Sequence, residues 1–421
     1  MIGKTTRLTA AAVALAAMAA ACGGSGDDGE DAGDDAANAQ AGDEGNGATA
    51  VADDELAASV ADGWTATVAG DGIKPALAID STGTPAMAWL QELTEDGYVS
   101  FASADDDWAE ERLAKGYLYG PIGLALDGED RPHVVWHDHE TIPFELDAGN
   151  LHYAVLDGGS GEWSVETAES EGHDGWDSTL AVRDDGTVFA AGVDPAAFQG
   201  EDGVEFYERT PDGTWTIAPV GSGPIEHELN VGLALSPDGT PGVTWSNQPE
   251  STLHYAERVD GDWQIEIVPT DGAEAPIFSS LAFDSQGRPH VSFYQPTGEG
   301  SGQVFHAVRD GGDWTVEDVG VLEDVLVEDA TGARRNTAVA VGSDDTVQLA
   351  FTDRSTLQLA TRGENGDWST EEVLSASEQR LLGQQVSLAL TDDGTPHLAT
   401  YEVTGATTGG LSGLVVHVTP G

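Results

Sequence analysis

The stretch VGLALSPDGTPGVTWS (231–246), followed by TLHYAERVDGDWQIEIV (252–268), holds the plan of the whole molecule. Apolar residues alternate in it with polar or small ones, the period of a β-strand that buries one face. Pro237-Asp238-Gly239 breaks the first stretch and Asp260-Gly261-Asp262 the second, and both breaks are turn chemistry. Four strands so joined form one antiparallel meander.

The same unit recurs along the chain. Its first two strands read ALAIDSTGTPAMAW (76–89), GLALDGEDRPHVVW (123–136), TLAVRDDGTVFAAG (179–192), SLAFDSQGRPHVSF (280–293), AVAVGSDDTVQLAF (338–351) and SLALTDDGTPHLAT (387–400). A fourth-strand Trp recurs at 64, 108, 163, 215, 263, 314 and 368, at gaps of 44 to 55 residues, and a period of that size marks a repeat architecture. The last unit ends at LVVHVTPG (414–421) without a Trp strand, whereas Trp64 begins one before any complete unit. A ring in which the N-terminal strand completes the last sheet removes both open edges. The expected fold is therefore all-β: a seven-bladed β-propeller of four-stranded antiparallel blades over residues 62–421, closed by the Trp64 strand. Ala78, Ala125, Ala181, Ala234, Ala282, Ala340 and Ala389 occupy one repeat position in the first strands and suit a crowded centre.

Residues 1–21 read as a signal peptide, with Lys4 and Arg7 before an Ala-rich apolar stretch too short to span a bilayer as a helix. Cys22, the only cysteine, follows Ala19-Ala20-Ala21 and precedes Gly23-Gly24-Ser25. This resembles the lipobox of bacterial lipoproteins, which implies lipidation at Cys22 and a membrane partner through the lipid. Ordinary cleavage after Ala21 is the alternative. In a host with two membranes, Gly23 resembles an outer-membrane sorting signal, so the expected address is the cell envelope, at the outer membrane or cell surface. Residues 23–61 hold no Lys, Arg or aromatic residue and eleven acids, a composition that cannot fold and repels itself into an extended tether. Residues 22–61 are thus read as lipidated Cys plus tether.

Residues 62–421 carry 64 acids against 14 Lys and Arg, a net charge of −50. That balance excludes nucleic acid as a partner. Acids spread over every repeat suit saline surroundings, where screening relieves self-repulsion; cation binding or a basic partner is the other reading. A monomer is expected.

Propeller chemistry sits at the loops between second and third strands and at those leading to the next blade. Trp136 leads there into His137-Asp138-His139-Glu140. If the strand continues, His137 and His139 point the same way and could hold a divalent cation with a carboxylate, although a solvated polar loop has the same sequence. No cofactor is expected otherwise. Trp176 and Asp177 offer a stacking face beside an acceptor for a sugar. Arg334-Arg335 is the densest basic spot, suited to a carboxylated ligand or to salt bridges with neighbouring acids. His133, His290 and His397 share one repeat position, and recurrence argues for structure.

The repeats resemble those of bacterial lipoproteins grouped with sialidase-type, BNR-like propellers. Thr210-Pro211-Asp212-Gly213-Thr214-Trp215 is one residue short of that family's Asp-box, and its Arg-Ile-Pro segment is missing. The expected function is a surface-anchored module that binds a glycan or a protein through its loop face. The alternatives are a glycoside hydrolase or lyase using loop carboxylates such as Asp138, Glu140 or Asp177, and a purely structural envelope protein.

Overall fold

A computed structural model describes residues 55–421, apart from 92–96, 140–148, 170–174, 194–201, 223–230, 248–249, 271–273, 299, 326–334 and 408–409. The leader, Cys22, Glu140 and Arg334 lie outside the described residues, and so does the side chain of His139.

The protein is an all-β propeller, and its described strands form six antiparallel sheets. Four are four-stranded: Trp176–Ser222, Gly232–Val268 and Ile277–Leu322, each in simple up-and-down order, and a last sheet in which Trp64–Asp71 lies along Gly410–Pro420, outside Pro396–Thr407 and Ser387–Leu390. The sheet of Thr337–Val341, Val347–Thr352, Thr356–Arg362 and Trp368–Ser375 gains a fifth strand, Ser59–Val60, within the segment read as tether. The sixth sheet has seven strands, running from Ile73–Ile79 to Trp163–Glu169.

This corrects the expected seven separate four-stranded blades: five sheets stand as separate blades, and the first two repeats are fused in the seven-stranded sheet. Strand Glu111–Leu126 runs unbroken from one repeat into the next. Glu111–Gly116 pair with Gly97–Phe101, and Tyr117–Leu126 pair with Pro132–His139. Elsewhere a connecting segment separates the fourth strand from the next first strand. Here Leu113-Ala114-Lys115-Gly116-Tyr117-Leu118 holds no Pro, Asn or Asp and no turn cluster, so nothing stops the pairing.

First strands of successive repeats lie side by side, and Ser387–Leu390 returns to Ile73–Ile79, so the inner strands close around an axis. The seven repeat-position alanines are all half-buried there, and Ala78, Ala125, Ala181, Ala234 and Ala389 pack against the apolar clusters between sheets. Apolar clusters fill the space between sheets, each built from the faces of two or more neighbours.

The Trp period has a physical reason. Five of the seven indoles donate to a glutamate on the fourth strand of the preceding repeat: Trp163 to Glu111 at 2.7 Å, Trp215 to Glu166 at 2.9 Å, Trp314 to Glu266 at 3.3 Å, Trp368 to Glu317 at 3.2 Å and Trp64 to Glu371 at 3.3 Å. Every one of these glutamates follows the same rule of spacing: each stands three residues after a fourth-strand Trp. Where Ala218 replaces it, no such bond to Trp263 can form.

The hairpins at the opposite end are tied by side chains. Asp80 accepts from the backbone N–H of Thr82 and of Thr84, both at 2.8 Å, while Gly83 takes the left-handed conformation at φ 90°. Asp130 and Asp345 occupy the same left-handed place at φ 60° and 64°. There each carboxylate clasps the hairpin of the preceding repeat, Asp130 on Ser81 and Asp345 on Ser285, through one backbone and one hydroxyl bond of 2.6–2.8 Å. The clasp offsets the strain of a side chain at positive φ.

Candidate functional site

The inner strands begin at the end of the ring where the longer connections run, and three of them share a distortion. One extra residue is inserted against the second strand between Ile73 and Ala76, between Trp176 and Thr179, and between Ile277 and Ser280. Each bulge places a non-glycine residue at positive φ: Lys74 at 55°, Asp177 at 58° and Phe278 at 57°. All three are buried. Bulges with a residue held at positive φ are over-represented next to functional sites.

Asp177 is 2% exposed, and its neighbour across the axis is Arg335, from the start of another repeat. Arg335 Nη2 donates to the Ser178 carbonyl at 2.8 Å and lies 4.0 Å from Asp177 Oδ1. Lys74 is 4% exposed, and its charge also acts on Asp177. Burial drives the Asp177 carboxyl well above the usual carboxylate range, against the pull of Arg335 and Lys74. Burial likewise lowers the Arg335 guanidinium, which Asp177 partly offsets.

Beyond Arg335 the axis opens into a cavity of about 180 Å³. Its lining includes Thr179, Ser279, Thr337, Gln385 and Ser387 together with Leu233 and Leu281. The combination of apolar wall and a few convergent polar groups is what small-ligand sites look like.

The sequence candidates divide accordingly. Asp177 and Arg335, named separately, come together, and Trp176 packs beside them against Gly120. Lys74 was missed, although it is one of only three lysines in the chain and sits on an inner strand. His137 and Asp138 do not join this cluster. His137 is 1% exposed and packs on Gly149, while Asp138 points to the other face of the strand. There Asp138 Oδ2 meets His152 Nε2 at 2.9 Å, and Oδ1 accepts from Asn150 Nδ2 at 3.1 Å. Burial would raise the Asp138 carboxyl, but His152 and Asn150 hold it below the ordinary value. Among the described residues, no three His, Cys, Asp or Glu side chains converge as a metal site needs.

The recurrent histidines belong to the packing. His133 bridges Tyr153 and Asp127 at 2.6 and 3.2 Å, His290 meets His306 at 2.9 Å, and His397 meets His417 at 2.9 Å.

No family model and no curated protein matches this chain. Solved structures do. A polysaccharide lyase of the ulvan lyase family, bound to -[GlcA(1-4)Rha3S]-, is 12% identical and covers 79% of this chain and 91% of its own, at a TM-score of 0.51. A Dyadobacter fermentans protein of unknown function is 13% identical over 86% of this chain and all of its own, at 0.47. An α-L-arabinofuranosidase from Fusarium graminearum is 13% identical over 72% and 92%, also at 0.47. The propeller's structural neighbours thus include polysaccharide lyases and a glycoside hydrolase, and at these identities the likeness establishes the propeller fold alone.

Proposed function

We propose that this chain is an exported, envelope-anchored propeller that binds a glycan at the end of its axis. One observation carries the reading: Arg335, held beside Asp177 from a repeat far away in sequence, lines a cavity of about 180 Å³ together with Thr179, Ser279, Thr337, Gln385 and Ser387. A sugar presents hydroxyl donors and acceptors over an apolar ring face, and such a cavity answers both. The ulvan lyase shows that a related fold can hold a saccharide.

In this reading Cys22 carries the lipid and the acidic segment behind it spaces the ring from an outer membrane or cell surface. The ring works as a monomer without a resident cofactor, and its charge of −50 keeps nucleic acid away. A hydrolase or lyase is the second reading, favoured by the raised carboxyl of Asp177, the direction a general acid needs.

The test exposes the full chain to a broad glycan array at high salt and weighs the eluted sugars. Retention without new masses is the expected result, new masses make the protein an enzyme, and no retention of any glycan overturns the reading.

A further inference from the structure

One register of the inner strands borders the cavity with an alternating pattern. Thr179, Ser280 and Ser387 pair there with Ala191, Ser292 and Ala399 on their second strands, at the matching step of the third, fifth and seventh repeats. Gly232, Ala338 and Ala76 hold that step in the fourth, sixth and first repeats and offer no polar side chain. All six residues border the cavity. Hydroxyl and bare positions therefore alternate around the axis from the third repeat round to the first.

Two of these hydroxyls are tied to the wall by one bond each. Ser387 Oγ accepts from the Leu77 backbone N–H at 3.1 Å, and Ser280 Oγ accepts from the Val339 N–H at 3.3 Å, each reaching the inner strand of the following repeat. A hydroxyl that has accepted one bond keeps its proton and a second lone pair, so each of these half-buried serines can donate to a ligand and accept from it. The guanidinium beside them is already matched: Arg335 borders the cavity with the Asp177 carboxyl 4.0 Å away, and its Nη2 is spent on the Ser178 carbonyl. The net −50 of the ring also repels an anion as it approaches. The cavity's 180 Å³ equals about six waters at roughly 30 Å³ each, room for one sugar ring and not for a chain.

Resting on the glycan reading, we infer that the cavity takes a single neutral sugar residue, its ring hydroxyls meeting Ser280, Ser387 and, at the same step, Thr179. Hydroxyls at alternate positions around an axis suit a six-membered polyol ring, which carries oxygens around its own rim. A uronate would compete with Asp177 for Arg335, and an amino sugar would set its ammonium against that guanidinium. Either charge would be enclosed without a partner of its own, which is costly.

The experiment is calorimetric titration of the full chain with glucose, galactose and mannose, each beside its uronate and its 2-amino counterpart. At least one neutral hexose is expected to bind about tenfold tighter than both of its charged forms. The double variant Ser280→Ala, Ser387→Ala should weaken that hexose about tenfold, the effect of losing two hydrogen bonds. It should fold, because alanine already holds the same step at Ala76 and Ala338, and thermal unfolding checks this. If it does not fold, the selectivity of the unaltered chain decides. A charged sugar binding as tightly as its neutral parent, hexose binding untouched by the folded double variant, or no hexose binding at all overturns the inference, while array retention keeps the glycan reading standing. Absence of both hexose binding and array retention overturns the two together.

Discussion

Glu317 shows at the scale of one residue what the Trp period is for. It accepts from Arg362 Nε at 2.8 Å and Nη2 at 2.6 Å, from Trp368 Nε1 at 3.2 Å, and pairs with His306 Nδ1 at 3.2 Å. Burial would raise its carboxyl, but Arg362 and His306 hold it far below the usual range. Glu317→Ala leaves a guanidinium and an indole without their acceptor, and should cost about 2–4 kcal/mol in denaturant unfolding. Trp368→Phe, which keeps most of the apolar burial and loses one donor, should cost less, on the order of 1 kcal/mol. Equal losses would show that packing, and not the glutamate, joins the sheets. The paired histidines make a second residue-level statement. Burial, reinforced by the neighbouring imidazole, lowers His290 and His417 to about 4. Their folded values lie below the unfolded value of about 6.5, so the unfolded chain takes up protons first. Their contribution is complete above about pH 6.5 and is lost as pH falls towards 4. His417→Gln should flatten the fall of melting temperature across that window, and an unchanged slope would remove His417 from the account.

Among the elements, strand Trp64–Asp71 bears the most, because it is the only neighbour of Gly410–Pro420 on that side. Removing residues 59–71 exposes the Leu414–Pro420 edge, and the expected result is a shift to oligomers on size-exclusion chromatography. A stable monomer after that deletion would mean that the strand is dispensable. Strands and hairpins were legible in the sequence wherever alternation ended in Asp-Gly or Asp-x-Gly turns. The division into sheets was not. Fusion across Glu111–Leu126 depends on the absence of a connecting loop, and a repeat alignment reads the two halves as separate units. The site was legible in pieces. Trp176, Asp177 and Arg335 stood out as unusual loop residues, but their meeting is a property of the closed ring. Lys74 drew no attention in the sequence, because the bulge that carries it leaves no mark in the pattern. Asp138 was misleading for a local reason: its strand continues, and alternation sends it towards His152 and away from His137.

For the whole molecule, charge is the governing quantity. A net −50 over residues 62–421 sets carboxylates against one another across every sheet. Raising salt from about 0.1 M to 1 M shortens the screening length from roughly 10 Å to 3 Å, so the melting temperature should rise steeply over that range. A flat response would show that the acids are already neutralised locally. The same field repels acidic ligands at a distance, which favours a neutral ligand at the axis. The most direct measurement is therefore retention on a glycan array of the unaltered chain beside two variants, Arg335→Gln at the axis and Arg183→Gln at the hairpins, where Arg183 donates to the Gly239 carbonyl. Loss of retention with Arg335→Gln and full retention with Arg183→Gln is the predicted result. Equal retention by both variants would contradict the assignment of binding to the axis.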